Sequence, residues 1–156
     1  MIELSDYRGD WNSIKAILPA LIEKYETEIQ LAPGRLAIAG KTGPEAQKEQ
    51  CAWPVYYGML KAEVTKLLRY IDMRIDSIRG DLTRRYNEGY SRELSEKARE
   101  RYIDNEHDYM RFRELYLEVE ELKDKLATIC DGFDRRGFAL RDWTALKVSE
   151  HTDLTI

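Results

Sequence analysis

The chain has 156 residues, with 25 Lys and Arg against 29 Asp and Glu and a net charge of −4. That length fits one domain able to bury about two-thirds of its unfolded surface. Its 35% charged and 43% hydrophobic residues, the latter periodically spaced, exclude a disordered chain, and no apolar run approaches the ~20 residues that span a bilayer.

The start, Met1-Ile2-Glu3-Leu4-Ser5-Asp6, has neither the basic nor the apolar region of a secretory signal, so a soluble, intracellular protein is expected. Residues 11–30 carry Ile14, Ile17, Leu18, Leu21, Ile22, Tyr25 and Ile29 at helical spacing, with Asp10 as cap. Pro19 either kinks this helix or marks a start nearer residue 18. From Leu31 to about Ala52, Pro33, Gly34, Gly40, Gly43 and Pro44 interrupt any periodicity, and a linker is expected. Within it Gly34-Arg35-Leu36-Ala37-Ile38-Ala39-Gly40-Lys41-Thr42 has the outline of a phosphate-binding loop. That motif needs four residues between its glycines, and here there are five, with no strand before them; a flexible basic linker is the better reading.

A second helix is predicted from about Val55 to Tyr86 on Met59, Leu60, Val64, Leu67, Leu68, Ile71, Ile75, Ile78 and Leu82, roughly 45–50 Å long at 1.5 Å per residue. Asn87-Glu88-Gly89 ends it. A charged connector follows over 91–105, with a short helix around Leu94, Ala98 and Tyr102. From Asp108 to Phe133 the apolar positions Phe112, Leu115, Val119, Leu122, Leu126, Ile129 and Phe133 alternate spacings of three and four, a heptad stripe. That stripe serves either an intramolecular hairpin with the second helix or self-association. The doubly basic Arg135-Arg136-Gly137 reads as a break with a left-handed glycine cap, and a short amphipathic helix with Phe138, Leu140, Trp143 and Leu146 follows. The fold expected is all-α and elongated: two long antiparallel helices and a short C-terminal helix. Residues 1–52 form an N-terminal helix and linker, and 53–156 the helical core.

Cys51 and Cys130 lack metal spacing and read as thiols in a reducing compartment. His107 pairs only with Asp104 on its helix face, His151 stands alone, and no nucleophile arrangement is recognisable, so no metal, cofactor or enzymatic activity is assigned. Charge is unevenly spread: residues 61–101 hold 11 Lys/Arg against 8 Asp/Glu, and 102–129 hold 4 against 8. In the basic third, Arg74, Arg79, Arg84, Arg85 and Arg92 surround Tyr86 and Tyr90. Arginines neutralise phosphates and tyrosines stack on unpaired bases, the way single strands are held without sequence preference. The same residues also suit a solvated helix face with i, i+4 ion pairs.

Three segments carry a family resemblance: Gly40-Lys41-Thr42-Gly43-Pro44-Glu45, the turn Arg85-Tyr86-Asn87-Glu88-Gly89-Tyr90, and Leu126-Ala127-Thr128-Ile129-Cys130-Asp131-Gly132-Phe133-Asp134-Arg135-Arg136-Gly137-Phe138-Ala139-Leu140-Arg141-Asp142-Trp143. Over about residues 40–150 the chain resembles the UvsY-type recombination mediators of large tailed phages. The resemblance implies a non-enzymatic, ring-like homo-oligomer, a heptamer, in the cytoplasm of the infected host. It would bind single-stranded DNA and help a RecA-like phage recombinase displace the single-strand-binding protein in DNA recombination, repair and replication. The family's basic pair falls on Arg79-Gly80-Asp81-Leu82, where the second basic position is acidic and Arg84 and Arg85 stand one turn later. DNA would then be held by Arg74, Arg79, Arg84, Arg85 and Tyr86, and the ring closed by Phe133, Phe138, Leu140 and Trp143. The acidic stretch from Glu114 to Asp124 would face basic partner surfaces. The alternative reading is a helical coiled-coil scaffold or assembly protein without nucleic-acid binding.

Overall fold

The computed structural model describes residues 11–89 and 95–152. Asp10, Tyr90, Arg92, Leu94 and the side chain of His151 lie outside the described residues. The described residues form four α-helices and no strand: α1 Trp11–Leu36, α2 Gly43–Glu88, α3 Glu96–Asp104 and α4 His107–Thr152. None of these helices is long and apolar enough to cross a membrane.

The all-α class, the end of the second helix at Asn87-Glu88-Gly89 and the short helix in the charged connector agree with the sequence reading. Ser95 caps α3, its hydroxyl accepting from the Ala98 N–H at 3.3 Å. Three expectations fail. Helix α1 begins at Trp11, so Pro19 does not mark its start; the proline leaves the Lys15 carbonyl without its ladder donor, and the helix runs on to Leu36. The linker expected over 31–52 shrinks to residues 37–42. Gly40, at φ 79°, turns the chain there. Thr42 then opens α2: the Glu45 carboxylate accepts from the Thr42 N–H (2.9 Å) and hydroxyl (2.8 Å), closing a Thr-x-x-Glu cap. Pro44 sits in the first turn of α2, where a missing N–H costs nothing.

The third failure is the break at Arg135-Arg136-Gly137. Helix α4 runs unbroken for 46 residues, and Gly40 alone among the described residues has positive φ. There is no separate C-terminal helix. The heptad stripe does not end at Phe133; it continues through Arg136 to Leu140, both buried.

By its contacts the chain forms two compact units, and the boundary expected near residue 52 falls inside α2. The first unit draws on the described residues up to Leu21 and on Glu63–Leu122; Ile14, Leu18, Leu21, Val64, Leu67, Ile71, Ile103, Val119 and Leu122 are buried in it. The second draws on Ile22–Ala62 and the chain from Lys123 onward. Its buried residues include Tyr25, Tyr57, Leu60, Leu126, Ile129, Phe133 and Leu140. In the second unit α2 and α4 run antiparallel: Gly43 lies against Trp143, Gln47 bonds Thr144, Gln50 meets Phe133 and Arg136, and Tyr57 stacks on Phe133 with ring centroids 5.4 Å apart. From Val119 to Leu140 the stripe of α4 is buried within the chain, while Phe112 and Leu115 are half-buried.

Candidate functional site

The five residues expected to hold DNA do not share one surface. At 100° per residue along α2, Arg74 and Arg85 fall on one side, Arg79 and Tyr86 on a second and Arg84 on a third. The contacts follow that division. Arg79 faces α3, with a guanidinium nitrogen 3.7 Å from Glu100. Tyr86 donates to the Glu106 carboxylate at 2.6 Å, and its ring stacks on Tyr102 of α3 with centroids 5.7 Å apart and planes 24° from parallel. Arg84 is exposed. Arg85 is exposed too, 3.9 Å from Glu106. Arg74 is half-buried, and its Nε is buried without a hydrogen-bond partner among the described residues. An unmet buried donor costs about 1–3 kcal/mol.

Two groupings replace the single patch, both in the first unit. One is the α2–α3 corner. There Tyr102, 47% exposed, lies on Tyr86, and Arg99 donates to the Asn87 side chain at 2.8 Å. Arg79 lies on the same side of α2 as Tyr86, Arg85 reaches the corner through Glu106, and Arg84 stands on the far side of the helix. Sequence reasoning missed Tyr102 and Arg99 as site residues, because a separation of 16 positions between Tyr86 and Tyr102 becomes a contact only when the chain turns back between α2 and α3. The other grouping is a cavity of about 360 Å³. Trp11 and Lys15 of α1, Arg74 and Arg85 of α2, and Asp108 and Phe112 of α4 line it. Trp11 and Phe112 form one wall, with ring centroids 5.2 Å apart.

The residues expected to close a ring divide as well. Phe133 and Leu140 are buried in the second unit, so the ring-closing role is corrected for both: a side chain packed inside its own protomer offers nothing to a neighbour. Phe138 is 59% exposed, with the Arg141 guanidinium 4.8 Å above its ring, and Trp143 is 48% exposed beside Gly43.

The second unit is organised around Arg136, only 5% exposed. Its Nε donates to the Leu36 carbonyl (3.2 Å), one Nη to the Ala46 carbonyl (3.0 Å) and to Gln50 Oε1 (2.8 Å), and the other Nη to Glu49 (3.0 Å). Gln50 donates in turn to the Phe133 carbonyl at 2.7 Å. One planar guanidinium thus joins the end of α1, the start of α2 and the middle of α4. Beside it Arg35 donates to Glu28 and to the Tyr57 hydroxyl (2.9 Å), with its guanidinium 4.1 Å from the Trp53 ring centre. Burial works against the Arg35 charge, and the bonds to Glu28 and Tyr57 outweigh it, leaving its pKa raised. Burial pushes the Cys130 thiol up, making it a poor nucleophile, while Cys51 is exposed.

In the loop with the phosphate-binding outline, Lys41 is held by Glu49 at 2.6 Å and Thr42 by Glu45. Its polar side chains serve the helix start. Among the described residues no group of three His, Cys, Asp or Glu is placed to hold a metal ion. Searches of protein-family models, of curated proteins and of solved structures find no match to this chain.

Proposed function

We propose that this chain binds single-stranded DNA and acts as a recombination mediator, promoting the loading of a RecA-like recombinase onto DNA coated by single-strand-binding protein. The observation that carries the reading is the α2–α3 corner: a stacked tyrosine pair with Tyr102 open to solvent, and Arg79, Arg85 and Arg99 beside it. A base laid on an aromatic ring gains about 1–3 kcal/mol whatever its sequence, and the arginines neutralise the flanking phosphates. Arg74 and Arg84 take no part in this grip. Self-association, as a ring of identical subunits, would repeat the corner and turn a small patch into a continuous track. Phe138 and Trp143 are the residues left on the surface to drive it.

The test is fluorescence anisotropy of a labelled oligothymidylate at about 50 and 200 mM salt. Three phosphate contacts on a single strand weaken binding about 20-fold across that range. Tyr102→Ala and Arg79→Glu each weaken binding further, and Phe138→Asp with Trp143→Asp yields smaller species by light scattering. Absence of binding at either salt refutes the strand-binding role. The second reading then stands: a helical scaffold that assembles through the exposed apolar side chains Phe138, Trp143 and Leu146 and ignores DNA.

A further inference from the structure

The cavity in the first unit combines three features, and of its cations only Arg85 is shared with the strand-binding corner. Its cations come from separate helices: Lys15 from α1 and Arg74 and Arg85 from α2. Its wall of Trp11 and Phe112 offers aromatic surface within the same space. And Arg74, alone among the described residues, has a buried side-chain nitrogen with no hydrogen-bond partner. Leaving a cationic donor unmet is unfavourable, and an arginine there calls for an acceptor that the described residues do not provide. The carboxylates in the cavity are no substitute. Glu106 accepts from Tyr86 at 2.6 Å and lies 3.9 Å from Arg85, and Arg74 Nε makes no bond to it. Asp81 and Asp108 also line the space, yet Arg74 Nε bonds neither of them.

We infer that this cavity binds a phosphate monoester with a planar organic group, of which a nucleoside monophosphate is the simplest. The phosphate takes the Nε edge of Arg74, which a small side-chain rotation brings toward the cavity, with Lys15 and Arg85 supplying further positive charge. The base lies against Trp11 and Phe112, and Asp81 and Asp108 accept from sugar hydroxyls or exocyclic amines. A volume of about 360 Å³ sits at the lower end of the ~300–1,000 Å³ typical of small-molecule sites and exceeds what phosphate alone would fill. The inference does not rest on strand binding at the α2–α3 corner.

Isothermal titration with adenosine 5′-monophosphate, adenosine and inorganic phosphate on the full chain tests it. The monophosphate binds one to one, and adenosine and phosphate each bind at least about tenfold more weakly. Arg74→Met lowers monophosphate affinity about 10- to 100-fold, the range for one charge-assisted contact, while the melting temperature without ligand stays level or rises, because an unmet donor has been removed. Lys15→Glu, at an exposed position, weakens the monophosphate while leaving the fold unchanged. Equal binding of adenosine and its monophosphate overturns the inference, as does full affinity in Arg74→Met. A large fall in that variant's melting temperature does so too, since it would make Arg74 structural. Competition with oligonucleotides identifies the source: displacement only by a 5′-phosphorylated strand means a strand end, and no displacement means a free nucleotide. Because Tyr102→Ala leaves this site intact, monophosphate binding survives even where strand binding fails.

Discussion

Arg135 and Arg136 are adjacent, chemically identical and opposite in environment, which makes them a controlled pair. Arg136→Ala removes the donors to three acceptors, the carbonyls of Leu36 and Ala46 and the Oε1 of Gln50. At about 1 kcal/mol for each lost bond the sum is about 3 kcal/mol. Glu49 adds little: it is 32% exposed and keeps Lys41 at 2.6 Å. For a chain of this size that loss lowers the melting temperature by about 6–12 °C. Arg135→Ala, at an exposed position, stays within about 0.5 kcal/mol of the parent. Arg136→Lys recovers only part of the loss, because one ammonium cannot reach acceptors spread around a guanidinium plane. Urea denaturation followed by far-UV circular dichroism measures all three. A loss under about 1 kcal/mol in Arg136→Ala, or equal losses in the two alanine variants, would refute the view that Arg136 organises the second unit.

Two further predictions concern α2. The Thr42 N–H and hydroxyl hold the Glu45 carboxyl below its ordinary value of 4.5. A carboxylate with a depressed folded pKa contributes stability above its unfolded pKa, and that contribution is lost as pH falls through the folded one. The melting-temperature difference between the parent and Glu45→Ala is therefore full at neutral pH and closes below pH 4.5; a difference that persists undiminished in acid refutes the cap. Gly80 lies exposed in the helix with open space where a Cβ would stand. Gly80→Ala stabilises by about 0.5–1 kcal/mol, and a melting temperature that falls contradicts the geometry.

What the sequence made legible follows from which residues carry the helical pattern. Val119, Leu122, Leu126, Ile129 and Phe133 are apolar at heptad spacing and buried as that spacing requires. The pattern fails at Arg136, which holds a stripe position yet looks like a surface residue beside Gly137, so a helix end was expected where none exists. The start of α2 hid for the same reason. Ala46, Gln50, Trp53, Tyr57, Leu60, Val64, Leu67 and Ile71 alternate spacings of four and three, but Ala46 is small, Gln50 is polar and Pro54 lies among them. Gln50 and Arg136, the polar interruptions in the two stripes, bond each other. Each looks like a flaw alone, and only their contact accounts for both. The site was less legible. Arg74, Arg79, Arg84 and Arg85 are neighbours in sequence, but helical rotation sends them to different sides of α2. Tyr102, Lys15 and Trp11 join them only through the return of α3, α1 and α4.

The bond between Gln50 and Arg136 also settles how the two stripes align. Apolar heptads are nearly indifferent to sliding, since a shift of seven residues replaces one layer of aliphatic side chains with another. Here such a slip would set Arg136 opposite position 43 or 57 instead of 50, a glycine or a tyrosine, neither of which has the carboxamide that both accepts from Arg136 and donates to the Phe133 carbonyl. A single polar layer then acts as a key cut for one lock, in the way one buried asparagine fixes the pairing of coiled-coil strands. What α2 and α4 gain from it is a unique alignment, a property that uninterrupted leucines would have lacked.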